Sequence, residues 1–390
     1  MIRVIAVTGA YYPEISAAAV QVKTAAAALR GKAQVSVLTT AVDTGLPAIE
    51  MIDEVHVYRV PIDVSSAKSK SVAAIQLSAH LFGARGSFDV IHLHGFSQKN
   101  VPVMIAARAL GKPVVMTLHT AGQDEADVVR QRGVLARWAF RSPDRILAVS
   151  PALAEAWIDA GLPGNRLQIA PNGIDTKRFA PAGEQERERI RMSFGWPAEQ
   201  RVVLFVGFFS RDKRPDLLFR AWTRIRQAGS TARLVFVGAT GSPYYEIDRT
   251  LAGEIRRSAA DTGLADDVVF AEATLDVHRY MQAADVYVLP SVREAHPLAL
   301  LEAMSTGVAS IATRLAGATD GMIDDGVNGR LFRADDERAL AEALWAMLAN
   351  PGESRNLGAR GRETVLARYD IRNTSEAWLS AYRAVLSRSS

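Results

Sequence analysis

Short apolar runs of strand length recur along the 390 residues, separated by segments of helical length. The first, residues 2–8, reads as a buried strand. Residues 35–38, 55–60, 90–92, 114–117, 146–149 and 167–169 follow in the same manner. Ser16 is placed to cap a helix from Ala17 to Leu29, which Gly31 ends, and 101–110 and 152–160 read as further helices. After the turn signal Pro171-Asn-Gly-Ile-Asp175 and a charged helix from Glu184 to Arg191, the pattern restarts. Its second cycle has strands at 202–206, 234–237, 268–270, 286–289 and 310–313. Helices are expected at 215–227, 246–260, 277–282 and 297–304, and three helix-period segments, 337–349, 354–367 and 374–387, close the chain. Strand and helix in alternation predict an α/β chain with mostly parallel sheets, and the length suits two doubly wound domains facing each other across a cleft. The boundaries fall at 1–180 and 181–365, with 366–390 a terminal helix packing back on the first domain.

The stretch from Asp285 to Gly307 carries the most chemistry. Val286 to Leu289 makes a strand, Pro290 and Ser291 break it, and Pro297 suits the first position of a helix because its missing N–H costs nothing there. Leu300, Leu301 and Met304 form the buried stripe, and Gly307 provides a stop. A strand turning into a helix N-terminus is where α/β sheets bind anions, since unpaired N–H groups face the crevice. Two carboxylates sit there, Glu294 in the turn and Glu302 inside the helix. A single Glu is most often a solvated surface acid. A pair beside an anion-binding helix start is a candidate site.

Composition narrows the chemistry. The chain has no cysteine, which excludes disulfides, thiolate zinc and a Cys nucleophile. Its formal net charge of +4 permits an anionic ligand or surface but lacks the dense basic stripe that nucleic acid requires. No apolar run approaches the roughly 18 to 20 residues of a membrane span. Tyr11-Tyr-Pro-Glu14 follows the first strand without a small-residue cleavage pattern, so a cytoplasmic protein is expected. No His, Asp or Glu cluster has metal spacing, and Gly207 and Gly238 do not form a dinucleotide fingerprint.

Several ordered blocks together resemble the retaining glycosyltransferases of family 4, which have the GT-B fold of two Rossmann-like domains. They are Tyr12-Pro13, His92-x-His94, Thr117-x-His119, Ala148-Val-Ser150, Pro171-Asn-Gly-x-Asp175, Val206-Gly207 with Lys213, Glu294-x7-Glu302, and Gly317 with Gly326-x-x-Gly329. The resemblance spans nearly the whole chain. It implies an N-terminal acceptor-side domain, a C-terminal domain that holds a nucleoside-diphosphate sugar, and transfer of a hexose to a hydroxyl with retention. Glu302 would accept hydrogen bonds from the ribose hydroxyls, as a carboxylate can take two donors. Glu294 would meet the donor sugar. The N–H groups of Leu298 and Ala299 would hold the diphosphate. Lys213 would neutralise charge on the leaving diphosphate, with Gly207, Arg211 and the Thr319 hydroxyl contributing to the same pocket. His119 would position the reacting sugar, the departing phosphate itself serving as base. Of His92 and His94, one is expected to reach the acceptor side and the other to be a core histidine. No metal and no cofactor beyond the donor substrate is implied.

The chain departs from the family at three places: Ser16-Ala-Ala-Ala19 replaces a Gly-Gly pair, Phe208 stands where an arginine is usual, and Ala295-His296 follows the first Glu. These leave the sugar, the base and the acceptor open, the acceptor being a glycolipid, a polysaccharide or a small molecule. A nucleotide-sugar epimerase and a non-catalytic nucleotide-sugar binder are the competing readings. On a continuous helix over 128–142, Arg130, Arg137 and Arg141 would share one face with Val128, Leu135 and Ala139 opposite. Such a face serves either as a solvated surface or as a peripheral contact with an anionic membrane, at the inner face if the protein is cytoplasmic.

Overall fold

The structure is a computed structural model that describes residues 1–240 and 247–387. It divides into two units, Met1–Gly173 with Ile371–Ser390, and Ile174–Asp370. The first crossing thus comes at residue 173 rather than 180, and the chain returns at 371 rather than 366. A bridge between Ile174 and Asp370, with Ile174 N–H donating to the Tyr369 carbonyl (2.8 Å), ties the second unit's two ends together.

The first unit contains β1 (Ile2–Thr8), α1 (Ala17–Ala28), β2 (Ala33–Ala41), β3 (Ile49–Ile52), β4 (Val55–Pro61), α2 (Ala67–Gly83), β5 (Val90–His94), α3 (Asn100–Ala109), β6 (Val114–Leu118), α4 (Ala126–Arg130), α5 (Val134–Arg141), β7 (Arg145–Ala148), α6 (Pro151–Asp159) and β8 (Leu167–Ile169). Its eight-stranded sheet has the order β3-β4-β2-β1-β5-β6-β7-β8. All its pairs are parallel except β3 with β4. Val90, Ile91 and Leu93 are all fully buried, the continuous hydrophobicity of a strand covered on both faces. The Ser16 hydroxyl accepts from Ala19 N–H (3.1 Å) and starts α1 as expected. The edge strand β3 was not expected. It turns into β4 through Asp53 and Glu54 at φ 49° and 70°, a left-handed turn made without the glycine or asparagine that usually signals one.

The helix expected over 128–142 is two. Gly133, at φ 98°, separates α4 from α5. Only Arg137 and Arg141 therefore share a helical face, and Leu135, expected on the covered side, is 64% exposed.

The second unit contains α7 (Glu184–Ser193), β9 (Val202–Val206), α8 (Pro215–Gln227), β10 (Arg233–Val237), α9 (Leu251–Asp261), β11 (Val268–Ala271), α10 (Val277–Ala283), β12 (Val286–Leu289), α11 (Leu298–Ser305), β13 (Ala309–Thr313), β14 (Arg330–Phe332), α12 (Glu337–Ala349) and α13 (Pro351–Arg368). Its parallel sheet runs β11-β10-β9-β12-β13-β14. The expected helix start at Glu246 lies outside the described residues; α9 itself begins at Leu251. The last helix, α14 (Ile371–Leu386), returns to the first unit. There Trp378, Leu379 and Tyr382 join Val4, Val22, Val37 and Val90 in one core.

Candidate active site

In a doubly wound sheet, ligands gather beyond the C-terminal strand ends where the strand order reverses. In the second unit that place is between β9 and β12. The chain leaves β9 at Gly207 and β12 at Pro290-Ser291, so the loops carrying Lys213 and Glu294 emerge side by side. Gly238 makes room for the first loop, because a Cβ there would lie 2.0 Å from the Gly207 carbonyl oxygen. Val292 N–H donates to the Asp212 carbonyl (2.8 Å) and joins the two loops.

Lys213 and Glu294 then form an ion pair, Nζ to Oε1 2.6 Å, with the Glu294 side chain only 9% exposed. The Lys213 ammonium also lies 5.7 Å from the centre of the Phe208 ring, where the family's arginine is missing. Glu302, half-buried on the following helix, shares with Glu294 the neighbourhood of the Tyr287 phenol, and its carboxylate has no hydrogen bond or ion pair among the described residues. Burial pushes that carboxyl up to about 8, opposed by the charge of Arg178. Two enclosed hydroxyls, of Tyr287 and Ser291, have no hydrogen-bond partner among the described residues. Burial, then the negative charges of Glu294 and Glu302, holds the Tyr287 phenol well above its ordinary range. Neither hydroxyl was singled out from the sequence, though Tyr287 lies in the strand and Ser291 at the break that marked the stretch.

Helix α11 opens here. Pro297 is its N-cap, at φ −70° and ψ 114°, rather than its first helical residue as expected, and makes no side-chain capping bond. The N–H groups of Leu298 and Ala299 thus begin a helix with no side chain set over them. His296 packs its ring edge-on against Tyr369, centroids 5.2 Å apart, and burial with the nearby Arg368 charge pushes it down to about 3. It is a neutral wall at physiological pH.

Two expected contributors are committed elsewhere. Arg211 donates to Asp248 (2.7 Å) and lies 3.4 Å from Glu254, so its charge is compensated on the surface. Thr319 is fully buried; its hydroxyl donates to the Thr313 carbonyl (2.5 Å) and accepts from Leu315 N–H (2.8 Å). That hydroxyl is consumed in shaping the turn after β13 and is not offered to a ligand.

The first unit's reversal lies between β1 and β5. His92 and His94, two apart on a strand, point to one face, and their rings lie 4.0 Å apart. The expectation that they would divide between acceptor side and core is replaced by a network. His92 is hydrogen-bonded at both nitrogens, Nδ1 with the Tyr382 hydroxyl (2.8 Å) and Nε2 with the Thr117 hydroxyl (2.7 Å). His94 Nδ1 meets His119 Nε2 at 3.0 Å. Burial pushes His119 down to about 4 and holds His92 and His94 well below the usual imidazole range, so all three are neutral near pH 7. His94 Nε2 and His119 Nδ1 are enclosed and have no partner among the described residues.

Two residues missed in the sequence fix this corner. Asp124 accepts from the backbone N–H groups of Phe96 (2.7 Å), His119 (2.7 Å) and Thr120 (2.9 Å), pinning the loops after β5 and β6 to each other. Lys99 donates to the Thr8 carbonyl at the end of β1 (2.8 Å), and burial lowers its amine to about 8. Neither belongs to a motif, and nothing in the local pattern marks them.

Comparison with known proteins accounts for both halves. The family model for Glycosyltransferase Family 4 matches residues 18–178, and that for Glycosyl transferases group 1 matches residues 186–364. A D-inositol 3-phosphate glycosyltransferase of Acidothermus cellulolyticus is 31% identical over 80% of this chain and 71% of that protein. The chain belongs to the GT-B glycosyltransferases. A phosphatidyl-myo-inositol mannosyltransferase of Mycolicibacterium smegmatis is 29% identical to this glycosyltransferase, over 84% of this chain and 79% of that one. The fold agrees at lower identity. Sucrose-phosphate synthase of Thermosynechococcus elongatus superposes with a TM-score of 0.80 at 21% identity, covering 100% of both chains. Anabaena HepE in complex with UDP-glucose gives 0.79 at 17% identity, again over 100% of both chains. Among the described residues, no helix of this glycosyltransferase is long and apolar enough to cross a membrane.

Proposed function

We propose that this glycosyltransferase moves a hexose from a nucleoside-diphosphate sugar to a hydroxyl of a phosphate-bearing cyclitol, with net retention and without a metal. The observation that carries the donor half is the Lys213–Glu294 pair, 2.6 Å apart, at the strand reversal of the second unit, with the Glu302 carboxyl, unpartnered among the described residues, acting with Glu294 on the same Tyr287 phenol. In this reading Glu302 takes the two ribose hydroxyls, and the first N–H groups of α11 and the Lys213 ammonium receive the diphosphate. Glu294 holds Lys213 in place and offers its other oxygen to a hydroxyl of the donor sugar. As the bond to the anomeric carbon breaks, charge grows on the diphosphate, and Lys213 lies where it neutralises that growth.

The acceptor class rests on the relatives, whose names share an inositol ring bearing phosphate. The neutral imidazoles of the first unit suit a hydroxyl acceptor, with His119 positioning it and no enzymic base in the step. Retention rests on the family resemblance, as does the choice of transferase over epimerase at the level of acceptor use.

Incubation with UDP-, GDP- and ADP-sugars and an inositol phosphate tests the whole reading, with NMR of the product anomer. The expected outcome is one product with the donor's anomeric configuration. Donor turnover to an epimer with no acceptor consumed, or an inverted product, would overturn it.

A further inference from the structure

Strand β12 alternates between the two cores of its unit: Val286 and Val288 join one, Tyr287 and Leu289 the other. The second of these cores also takes Leu300, Leu301 and Met304 of α11, so the Tyr287 ring lies on the sheet face covered by the helix that carries Glu302. The ring is fully buried, and its hydroxyl has no hydrogen-bond partner among the described residues. The Ser291 hydroxyl, where the same strand gives way to the loop of Glu294, is in the same state. A phenylalanine would fill the ring's space without leaving a polar atom unmet, so an enclosed hydroxyl there needs a reason.

The two neighbouring acids supply one. Burial, and after it the charges of Glu294 and Glu302, keeps the phenol protonated, so at working pH it is a standing O–H donor. Glu294 is already engaged by the Lys213 ammonium at 2.6 Å. Glu302 is not: Arg178 acts on it by charge alone, and its carboxyl, pushed up to about 8 by burial, keeps its proton near pH 7. A protonated carboxyl makes little demand for donors. Once ionised, it is acceptor-only and takes several. The other ionisable groups on helices packed against α11 are Arg362 of α13, which donates to the Phe179 and Ser305 carbonyls, and His278, Arg279 and Tyr280 of α10. None of these acts on the phenol.

We propose that Tyr287 is a positioning residue of the donor site: its hydroxyl donates to the Glu302 carboxylate when that group ionises, and so holds it in the charged form that receives the ribose. The ribose as ligand rests on the proposed function, whereas the pairing of phenol with carboxylate does not.

The test is calorimetric binding of UDP, GDP and ADP between pH 6 and 9 to the unaltered protein, Tyr287→Phe, Glu302→Gln and the double variant. For the tightest of the three nucleotides, Tyr287→Phe should raise Kd about tenfold at pH 7 but only about twofold at pH 9, where Glu302 is largely ionised in the unaltered protein. In the Glu302→Gln background the same substitution should change Kd less than about twofold, since no carboxylate is left to receive the hydroxyl. Denaturant unfolding at pH 6, where Glu302 is protonated, should show Tyr287→Phe as stable as the unaltered protein, which also reports that the variant folds. A loss of affinity equal at every pH, or equal with and without Glu302, would reduce Tyr287 to packing and overturn the proposal. Affinity independent of pH in the unaltered protein would overturn the reading of Glu302 as the ribose ligand. Affinity that depends on pH in the unaltered protein and is left unchanged by Tyr287→Phe would overturn the role of the phenol alone.

Discussion

The two units share a doubly wound plan but place opposite chemistry at the reversal of strand order. In the second, between β9 and β12, an ion pair is present, Lys213 with Glu294 at 2.6 Å, together with Glu302, whose carboxyl has no hydrogen-bond or ion-pair partner among the described residues and is pushed up to about 8 by burial. In the first, between β1 and β5, the cluster at the strand ends is neutral, with His92, His94 and His119 linked by hydrogen bonds at 2.7 to 3.0 Å to Tyr382, Thr117 and one another. In the proposed reading, the same backbone topology serves a diphosphate, whose charge is met by charge, in one unit and an uncharged hydroxyl in the other. What differs is the counter-charge: the enclosed imidazoles have none and are held below their usual range by burial, while the equally enclosed Glu294 faces the Lys213 ammonium at 2.6 Å.

The comparison is most exposed to failure at Lys213. Lys213→Ala removes the cation paired with Glu294 and should lower kcat about a hundredfold or more, with a smaller change in donor KM. Steady-state kinetics on a working donor and acceptor would check this. Unchanged kcat would mean that the charged reversal is structural and that the contrast between units says nothing about catalysis.

Glu302 gives the next largest effect, and its sign is set by pH. Its folded carboxyl lies near 8, above the unfolded value near 4.5. Its contribution to stability is therefore present below about pH 4.5 and lost as pH rises through about 8. Ribose hydroxyls donating to the ionised form would lower that value, so nucleotide binding at pH 7 should release a proton and tighten as pH rises towards 8. Glu302→Gln should weaken the nucleoside diphosphate about tenfold or more, abolish the proton release, and flatten the stability profile between pH 5 and 8. Calorimetry in buffers of different ionisation enthalpy measures the release directly. A release that persists in the variant would assign it to another group.

The reach of the sequence follows the same division. The strand, break and helix of 285–307 were legible because apolar runs, prolines and a terminal glycine are local signals, and Glu302 could be placed from them. The ion pair that gives the site its charge was not, since Lys213 and Glu294 are 81 residues apart and meet only through the β9–β12 neighbourhood. Thr319 misled for the converse reason: its motif was visible, but its hydroxyl is consumed six residues back, at the Thr313 carbonyl. Across 128–142 the periodicity was broken by Gly133 at φ 98°, and Leu135, in the first turn of the helix that follows, is 64% exposed while Ala139, one turn on, is fully buried as expected.

The smallest expected effect tests the neutral half. His92 is fully buried with both nitrogens bonded, and Tyr382 supplies one of those bonds from α14, at 2.8 Å. Tyr382→Phe keeps the ring and its packing but leaves one buried nitrogen without a partner, a loss on the order of 1 to 3 kcal/mol. Denaturant unfolding should show that loss, and transfer should stay within about twofold, because His92 reaches His94 by ring contact while the hydrogen bond to His119 comes from His94. A tenfold fall in kcat with stability unchanged would show that the imidazoles take part in the chemistry through Tyr382. The first unit would then be no passive neutral holder of an acceptor, and charge alone would no longer distinguish the two reversals.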